Sequence, residues 1–362
     1  MSAPRSLIIN SPYEIPVCHW EQDSRGRVLR VREGRRGAGY EIFDTRTNTR
    51  RTVELEMVNR IRPRVDEWRQ AGYPGTTSVT RSLLEYWIDK GEFLDGRWEN
   101  GPRPLPFYFC QIEAIETLIW WVEGLAEYKQ GVFLPGDGGS WERICNKMAT
   151  GTGKTTLMGM IIIWQALNAL TYPKRKEFSS VIFLVAPGLT VKERLQVLYP
   201  GHEKNVYDEF RMCPNEALRQ KLNQAAILVE NWHTLMPLKE PERSVMKKGP
   251  ESDEAFTRRV LGKLAAFKDI VVINDEAHHA YRQRPELKVS KKDAEQLGID
   301  LEEATRWIEG LDRIHKTRRI RRCFDLSATP FAPTGKKSTE KGLFEWIISD
   351  FGLNDAIEAG LV

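Results

Sequence analysis

The fold of this 362-residue chain is decided by the stretch Met148-Ala149-Thr150-Gly151-Thr152-Gly153-Lys154-Thr155-Thr156. Its two glycines let backbone N–H groups approach phosphate oxygens, because no Cβ atom stands in the way. Lys154 can reach the β and γ phosphates of a nucleotide, and the Thr155 hydroxyl can ligate Mg²⁺. The strict phosphate-loop pattern has a glycine where this chain has Met148, so an ordinary turn before a helix remains the alternative.

Two adjacent carboxylates, Asp275 and Glu276, follow an apolar run at residues 270–273 that is typical of a buried strand. Strand pleating points neighbouring side chains apart, so the two groups can act separately. Asp275 can hold Mg²⁺ opposite Thr155, and Glu276 can polarise the water that attacks the γ-phosphate. A lone pair of this kind would indicate only a solvated strand end, but its position downstream of a phosphate loop favours the catalytic interpretation.

Apolar runs separated by helical segments predict the fold class. Continuous apolar strands suit a parallel sheet that is buried on both faces, and interleaved helices indicate a doubly wound α/β domain. The predicted strands are Arg143–Met148, Val181–Ala186, Ile227–Val229, Ile270–Ile273 and Phe324–Ser327. Two charged insertions are predicted to contain helices near Glu254–Phe267 and Leu301–Ile314.

Residues 1–100 carry no recognisable chemistry, and we predict a small α+β accessory region there. Tyr40–Phe43 and Thr52–Leu55 fit a hairpin, while Met57–Gln70 and Ser82–Lys90 fit helices. A boundary rich in Gly and Pro at residues 101–106 precedes the predicted ATP-binding domain, residues 101–350. Residues 351–362 are interpreted as the start of a linker.

The composition excludes several classes of protein. With 41% hydrophobic and 29% charged residues, the chain reads as soluble and globular, and a net charge of +4 permits nucleic-acid binding without demanding it. The five scattered cysteines fit neither a zinc site nor a disulfide framework. Neither a secretory signal nor an apolar run long enough for a membrane helix is present, so we expect a cytoplasmic protein without a membrane partner.

The motifs resemble those of a known superfamily. Asp275-Glu276-Ala277-His278 is a DEAH box, and Ser327-Ala328-Thr329-Pro330 matches the motif that follows it in superfamily 2 helicases and translocases. Within that superfamily, residues 107–115, 274–281 and 310–315 make the chain similar to the helicase-type Res subunit of Type III restriction enzymes. The resemblance covers about residues 100–362. It implies a RecA-like lobe of an ATP-dependent DNA helicase or translocase from a restriction-modification or related defence system.

The resemblance also implies roles for individual residues. Gln111 would read the adenine edge, for which an amide can both donate and accept, although a surface Gln at a helix start is the alternative. Lys154, Asp275, Glu276 and His278 would be catalytic, with Mg²⁺ on Thr155 and Asp275. Coupling of His278 to the third motif would pass through Ser327, Ala328 and Thr329. The ATP-binding residues would be Gln111, Ala149, Thr150, Gly151, Thr152, Gly153, Lys154, Thr155 and Thr156.

Nucleic-acid contacts are implied by two further loops, each of which is equally well explained as an ordinary strand-to-helix turn. The implied contact residues are Pro187, Gly188, Thr190, Asn231, His233 and Thr234. Trp232 fits either base stacking or burial in the core. A basic run at residues 313–322 fits either a solvated face or a phosphate contact.

Partners follow from the same resemblance. Motors of this class close ATP between two RecA-like lobes, and the second lobe supplies an arginine that stabilises the transferring phosphoryl group. We read the chain as an N-terminal fragment that lacks this lobe and expect it to hydrolyse ATP slowly alone. DNA is favoured over RNA as the nucleic acid, with a modification methyltransferase as a further partner. An RNA-dependent ATPase and a non-catalytic, nucleotide-gated scaffold are the alternatives.

Overall fold

A computed structural model describes residues 6–44, 49–88, 106–238, 251–282, 301–333 and 341–362. In these ranges the strands are β1 (Cys18–Gln22), β2 (Val28–Glu33), β3 (Gly39–Asp44), β4 (Thr49–Glu54), β5 (Arg143–Met148), β6 (Val181–Ala186), β7 (Ala226–Asn231), β8 (Ile270–Asp275), β9 (Ile320–Ser327), β10 (Phe331–Pro333), β11 (Lys341–Leu343) and β12 (Ile347–Phe351). The helices are α1 (Glu56–Gln70), α2 (Ser78–Ile88), α3 (Phe109–Glu123), α4 (Lys154–Thr171), α5 (Leu189–Arg194), α6 (Val206–Glu209), α7 (Glu216–Leu222), α8 (Asp253–Leu261), α9 (Leu301–Arg318) and α10 (Leu353–Glu358).

The central sheet has six strands in the order β12-β5-β9-β8-β6-β7, and every neighbouring pair is parallel. Five of the six strands, all except β12, were predicted from the sequence. The predicted α/β, RecA-like fold is therefore confirmed. β12 was not predicted as a strand. It pairs with β5 and thereby gives the strand that precedes the phosphate loop a neighbour on each side.

Burial on both faces explains the apolar strands. Along β6, Ile182 and Leu184 point into one core, and Phe183 and Val185 point into the other, because successive side chains of a strand alternate between faces. Helices α3, α4 and α7 cover the first face, and α8 and α9 cover the second. The sheet is therefore doubly wound, as the sequence predicts.

The two predicted helices in the charged insertions are present with different ends. The first is α8, which ends at Leu261 and continues as a 3-10 turn over Gly262–Ala266. The second, α9, runs to Arg318. Residues 239–250 and 283–300 of these insertions lie outside the described residues, as do the Gly and Pro residues at 101–104.

The N-terminal region contains the predicted hairpin and helices, but the second helix begins at Ser78 and not at the predicted Ser82. β3 pairs with β4 in antiparallel register, and an additional hairpin is formed by β1 and β2. Helices α1 and α2 contribute Ile61, Trp68 and Trp87 to the same core as α3 and α4. No helix in the described residues is long and apolar enough to cross a membrane.

Candidate nucleotide-binding site

The sequence motifs meet at one edge of the sheet. The phosphate loop follows β5, the carboxylate pair ends β8, and Ser327 ends β9, which lies between them in the sheet. Since all three strands are parallel, their carboxyl ends lie together. This edge is where open α/β sheets bind ligands, so the topology brings the predicted residues to a common site.

The phosphate loop has the backbone that its glycines predict. Gly151 and Gly153 have φ values of +87° and +79°, which L side chains rarely adopt. A Cβ atom on Gly153 would lie 2.1 Å from the amide nitrogen of Gln111, so the loop or the Gln111 amide would have to shift to admit a side chain. Helix α4 begins at Lys154, directly after the loop. Its free N–H groups and positive dipole end favour an anion at this point.

Hydrogen bonds inside the loop hold its shape. The hydroxyl of Thr152 donates to the carbonyl of Ala149 over 2.7 Å, and Thr152 is fully buried. The Ala149 N–H donates to the carbonyl of Phe351 over 3.0 Å, which ties the loop to the end of β12. Thr150 and Gly151 are exposed at the crest.

The carboxylate pair reaches the phosphate loop. The ammonium nitrogen of Lys154 lies 3.0 Å from Oε1 of Glu276. Glu276 has φ +47°, a left-handed conformation that ends β8 and turns the following residues back towards β9. Asp275 Oδ1 accepts from the Glu276 N–H over 3.0 Å. Burial and then the charge of Glu276 raise the pKa of Asp275 to about 6, an environment that disfavours its bare anion.

His278 contacts the motif that follows β9. Its Nδ1 lies 2.8 Å from the hydroxyl of Ser327, and that hydroxyl accepts from the N–H of Thr329 over 3.1 Å. The same Nδ1 lies 3.5 Å from Oε2 of Glu276. A continuous polar path therefore runs from Lys154 through Glu276 and His278 to Ser327.

Gln111 is hydrogen-bonded to the phosphate loop. It is 3% exposed, and its Nε2 donates to the carbonyl of Thr152 over 3.1 Å, while Oε1 accepts from the N–H of Tyr108 over 3.1 Å. The amide is thus fixed against the loop, and it is not the surface Gln of the alternative interpretation. Oε1 retains a second lone pair for a ligand.

A cavity of about 210 Å³ opens beside Gln111, and four of its eight lining residues are aromatic. It is lined by Tyr13, Pro106, Phe107, Tyr108, Gln111, Gly153, Thr156 and Phe210. The rings of Tyr13 and Tyr108 lie 5.5 Å apart. The two rings contact each other with their planes tilted by 36°, so a base would stack on an aromatic face that lines the cavity and would not enter between them. Tyr13 and Phe210 were missed from the sequence, because they lie far from the motifs and no pattern marks them.

A larger cleft of about 1050 Å³ lies between the N-terminal hairpins and β12, and it includes Ala328 and Thr329 in its lining. Several of its charged groups are paired within the chain, as Lys147 is with Asp350 at 2.5 Å. Because the phosphate loop does not line it, the smaller cavity is the better candidate for the base of a nucleotide.

The two loops implied in nucleic-acid contact follow β6 and β7, the next strands along the same edge. Gly188 precedes α5, and Thr190 is exposed in its first turn. Asn231 is 6% exposed, and its side chain accepts from the N–H of His233, so it caps the following turn. His233 is exposed. Pro187, Thr190, His233 and Thr234 therefore share an edge with the candidate nucleotide site, while Asn231 is engaged locally.

Trp232 and the arginines of the basic run, which were also considered for nucleic-acid contact, make contacts within the fold. Trp232 is 8% exposed and stacks on His233 at 4.1 Å, which corresponds to the buried alternative. The basic run lies at the amino end of β9, opposite the candidate site, and its arginines contact carboxylates of the same chain. These pairs are Arg313–Asp253, Arg318–Glu254, Arg319–Asp269, Arg321–Asp269 and Arg322–Glu142.

The donor set fits a magnesium nucleotide. Thr155 and Asp275 supply the hydroxyl and carboxylate oxygens that Mg²⁺ prefers, and the left-handed glycines form a cradle that a Cβ atom would fill. Lys154 and the amino end of α4 supply positive charge for the phosphates.

Comparison with known proteins agrees with this geometry. Residues 105–332 match the family model described as Type III restriction enzyme, res subunit. Searches of curated proteins and of solved structures returned no match. The matched residues make up well over half of the chain and include Gln111, the phosphate loop, the Asp275–Glu276 pair and Ser327. The chain therefore belongs to the family of Type III restriction enzyme res subunits and carries its helicase-like, ATP-binding domain.

Proposed function

We propose that this chain is the ATP-binding motor lobe of a DNA helicase or translocase that serves a Type III restriction-modification or related defence system. The observation that carries the proposal is the contact between Lys154 and Glu276, 3.0 Å apart. This contact sets the end of β8 against the phosphate loop, so that one bound triphosphate can touch both.

Different groups of residues would contact different parts of the bound nucleotide. The backbone N–H groups of residues 149–156 and the Lys154 ammonium hold the phosphates, and Gln111 with its aromatic cavity holds the base. Mg²⁺, bound by Thr155 and Asp275, would neutralise charge on the β and γ phosphates. When the triphosphate draws Lys154 away, Oε1 of Glu276 would lose this ion pair and become available to a water molecule.

In hydrolysis, Glu276 would orient the attacking water and accept its proton. His278 lies within 3.5 Å of Glu276 and within 2.8 Å of Ser327, so a change at the γ-phosphate reaches the loop after β9 through one imidazole. If His278 exchanged one of these two hydrogen-bond partners for the other, the motor would have two alternative states. Thr329 shares the Ser327 hydroxyl and would move with it.

Nucleic acid would lie along the loops after β6 and β7. They share the edge that holds the nucleotide site, whereas the arginines of the basic run face the opposite edge in ion pairs. Loop N–H groups and hydroxyls suit the sugar–phosphate backbone and carry no preference for sequence. DNA is proposed over RNA because of the family, and the partners are a second RecA-like lobe and a modification methyltransferase.

Two measurements test the proposal. Calorimetry with ATP and Mg²⁺ should show binding by the wild-type chain that Lys154→Ala abolishes. ATPase rates with duplex DNA, single-stranded DNA and RNA should show the largest stimulation by DNA. Absence of ATP binding by the wild type would refute the motor interpretation, and stimulation by RNA alone would favour an RNA-dependent ATPase instead.

A further inference from the structure

A buried ion pair lies between β5 and β9, away from the predicted reacting groups. Arg143 is 1% exposed, and both its Nε and its Nη2 lie 2.8 Å from Oδ2 of Asp325, which is fully buried. Two charges withdrawn from water are costly unless further hydrogen bonds satisfy them. The remaining partners of this pair therefore matter.

Those partners belong to the elements of the nucleotide site. Nη2 of Arg143 also donates to the carbonyl of Ala280 over 2.7 Å, and Oδ1 of Asp325 accepts from Nδ2 of Asn274 over 2.9 Å. Asn274 directly precedes Asp275 on β8. Ala280 caps the short turn Ala277–His279 that carries His278. Asp325 itself lies two residues before Ser327 on β9.

Further contacts surround the Arg143–Asp325 ion pair. Nη1 of Arg143 donates to Asp137 over 3.1 Å, and the indole N–H of Trp346 donates to Asp325 over 2.9 Å. The ring centre of Trp346 lies 4.9 Å from the guanidinium carbon. The planar guanidinium thus uses all three nitrogens on fixed partners, which a lysine ammonium on a flexible stem could not reproduce.

We propose that Arg143 is a positioning residue of the ATPase, which holds the turn after Glu276 at a fixed place beside β9 so that His278 stays in contact with Ser327. This inference rests on the proposed function. Arg143 touches no reacting group. It acts through the Ala280 carbonyl at one end of the turn and through Asp325 on the strand that carries Ser327.

The test must separate positioning from folding. Arg143→Met alone leaves the Asp325 charge buried without a cationic partner and is expected to unfold the chain. The double variant Arg143→Met/Asp325→Asn removes both charges, and the amide oxygen that it introduces can still accept from Asn274. Asp137 loses its contact with Arg143 but retains its ion pair with Arg282 at 3.1 Å. A matched control is Arg69→Met/Glu116→Gln, which removes an ion pair of 2.7 Å whose Glu116 side chain is 1% exposed, between α1 and α3.

Both double variants should unfold at denaturant concentrations close to that of the wild type and bind ATP with Mg²⁺ normally. In the Arg143 double variant, ATP turnover should fall on the order of 10²-fold, the effect of a small misplacement in a catalytic site. The side-chain ¹⁵N resonances of His278 should also shift. The control should leave turnover and these resonances unchanged.

Wild-type turnover and an unchanged His278 spectrum in the Arg143 double variant would overturn the positioning role and leave the pair a structural one. A wild-type chain that does not bind ATP would instead refute the proposed function. The His278 spectrum distinguishes the two failures, since it reports the contact with Ser327 whether or not ATP is hydrolysed.

Discussion

The ammonium group of Lys154 is paired with the carboxylate of Glu276 at 3.0 Å, across the gap between the phosphate loop and β8. Glu276→Gln removes the charge that competes with phosphate for Lys154, so ATP affinity should be kept or increased. Turnover should fall by roughly 10²- to 10⁴-fold, because the general base is lost. Calorimetry and single-turnover hydrolysis measure the two effects separately.

The comparison for that variant is Lys154→Ala, which removes the positive charge that faces the phosphates. It should lose binding as well as turnover. An equal loss of ATP binding in the two variants would contradict the division of roles between Lys154 and Glu276.

Gly153→Ala tests the phosphate cradle. The alanine would need φ near +79° and would place its Cβ 2.1 Å from Gln111, so either the loop or the amide must move. We expect a loss of about 1–3 kcal/mol in the free energy of unfolding and weaker ATP binding. Gly201→Ala is the control, because its added Cβ meets no atom within 4 Å. Urea titration and nucleotide binding decide the outcome, and normal ATP affinity in Gly153→Ala would argue against the cradle.

Ser327→Ala tests the path from the nucleotide site to the loop after β9. The change removes the hydroxyl that contacts His278 and accepts from Thr329. Basal ATP hydrolysis should persist, while its stimulation by DNA should be lost, because the loop no longer follows the imidazole. Ser78→Ala is a control for the loss of a hydroxyl contact outside the site, since that exposed hydroxyl contacts Tyr172 at 2.6 Å. Stimulation that survives in Ser327→Ala would place the coupling elsewhere.

Charge changes at opposite edges of the sheet locate the nucleic acid. Thr190→Glu puts a negative charge in the exposed first turn of α5 and should weaken DNA binding on the order of tenfold, about 1.4 kcal/mol. Arg318→Gln should leave both affinity and salt dependence unchanged, because Arg318 already pairs with Glu254 at 2.6 Å. Titrations of labelled DNA at several salt concentrations test this. A slope reduced by roughly 0.9 in Arg318→Gln would reveal a phosphate contact at that edge.

Asp355 predicts a pH dependence of stability. Burial, and then the nearby charge of Asp350, raise its pKa to about 6 from 3.8. The folded chain therefore holds this proton more tightly than the unfolded chain, so stability from this group is highest below about pH 4 and falls as pH rises to about 6. The loss amounts to at most about 3 kcal/mol.

Asp355→Asn removes that titration and keeps an acceptor for the N–H of Gly352, which now lies 3.0 Å from the carboxylate. Relative to the wild type, the variant should gain stability between about pH 4 and pH 8. Urea unfolding of both proteins across this range measures the gain. A difference between the two proteins that does not change with pH would show that Asp355 ionises normally.

Much of the sheet could be predicted because its strands are buried on both faces and are therefore continuously apolar. β12 escaped prediction, since Ser349 and Asp350 interrupt its apolar pattern. Both polar residues are buried, and both find polar partners on β5. Asn146 donates to Ser349 over 2.6 Å, and Lys147 pairs with Asp350. Such pairing depends on the tertiary structure and leaves no periodic signal in the chain.

The residues of the site also fall into those that the sequence predicts and those that it does not. The residues proposed to contact phosphates lie in short contiguous motifs, so spacing alone identified them as candidates. Arg143, Asn274 and Asp325 come from three strands and meet only after folding. A signal was nevertheless present, because an amide or carboxylate within an apolar strand must find an internal partner when it is buried.

The backbone bond from Ala149 to Phe351 has a mechanical consequence. It joins the first residue of the phosphate loop to the last residue of β12, and β12 also pairs with β5, the strand that leads into the loop. A displacement of the chain at Phe351 would therefore reach the nucleotide site through these two strands, without passing through the other four strands of the sheet.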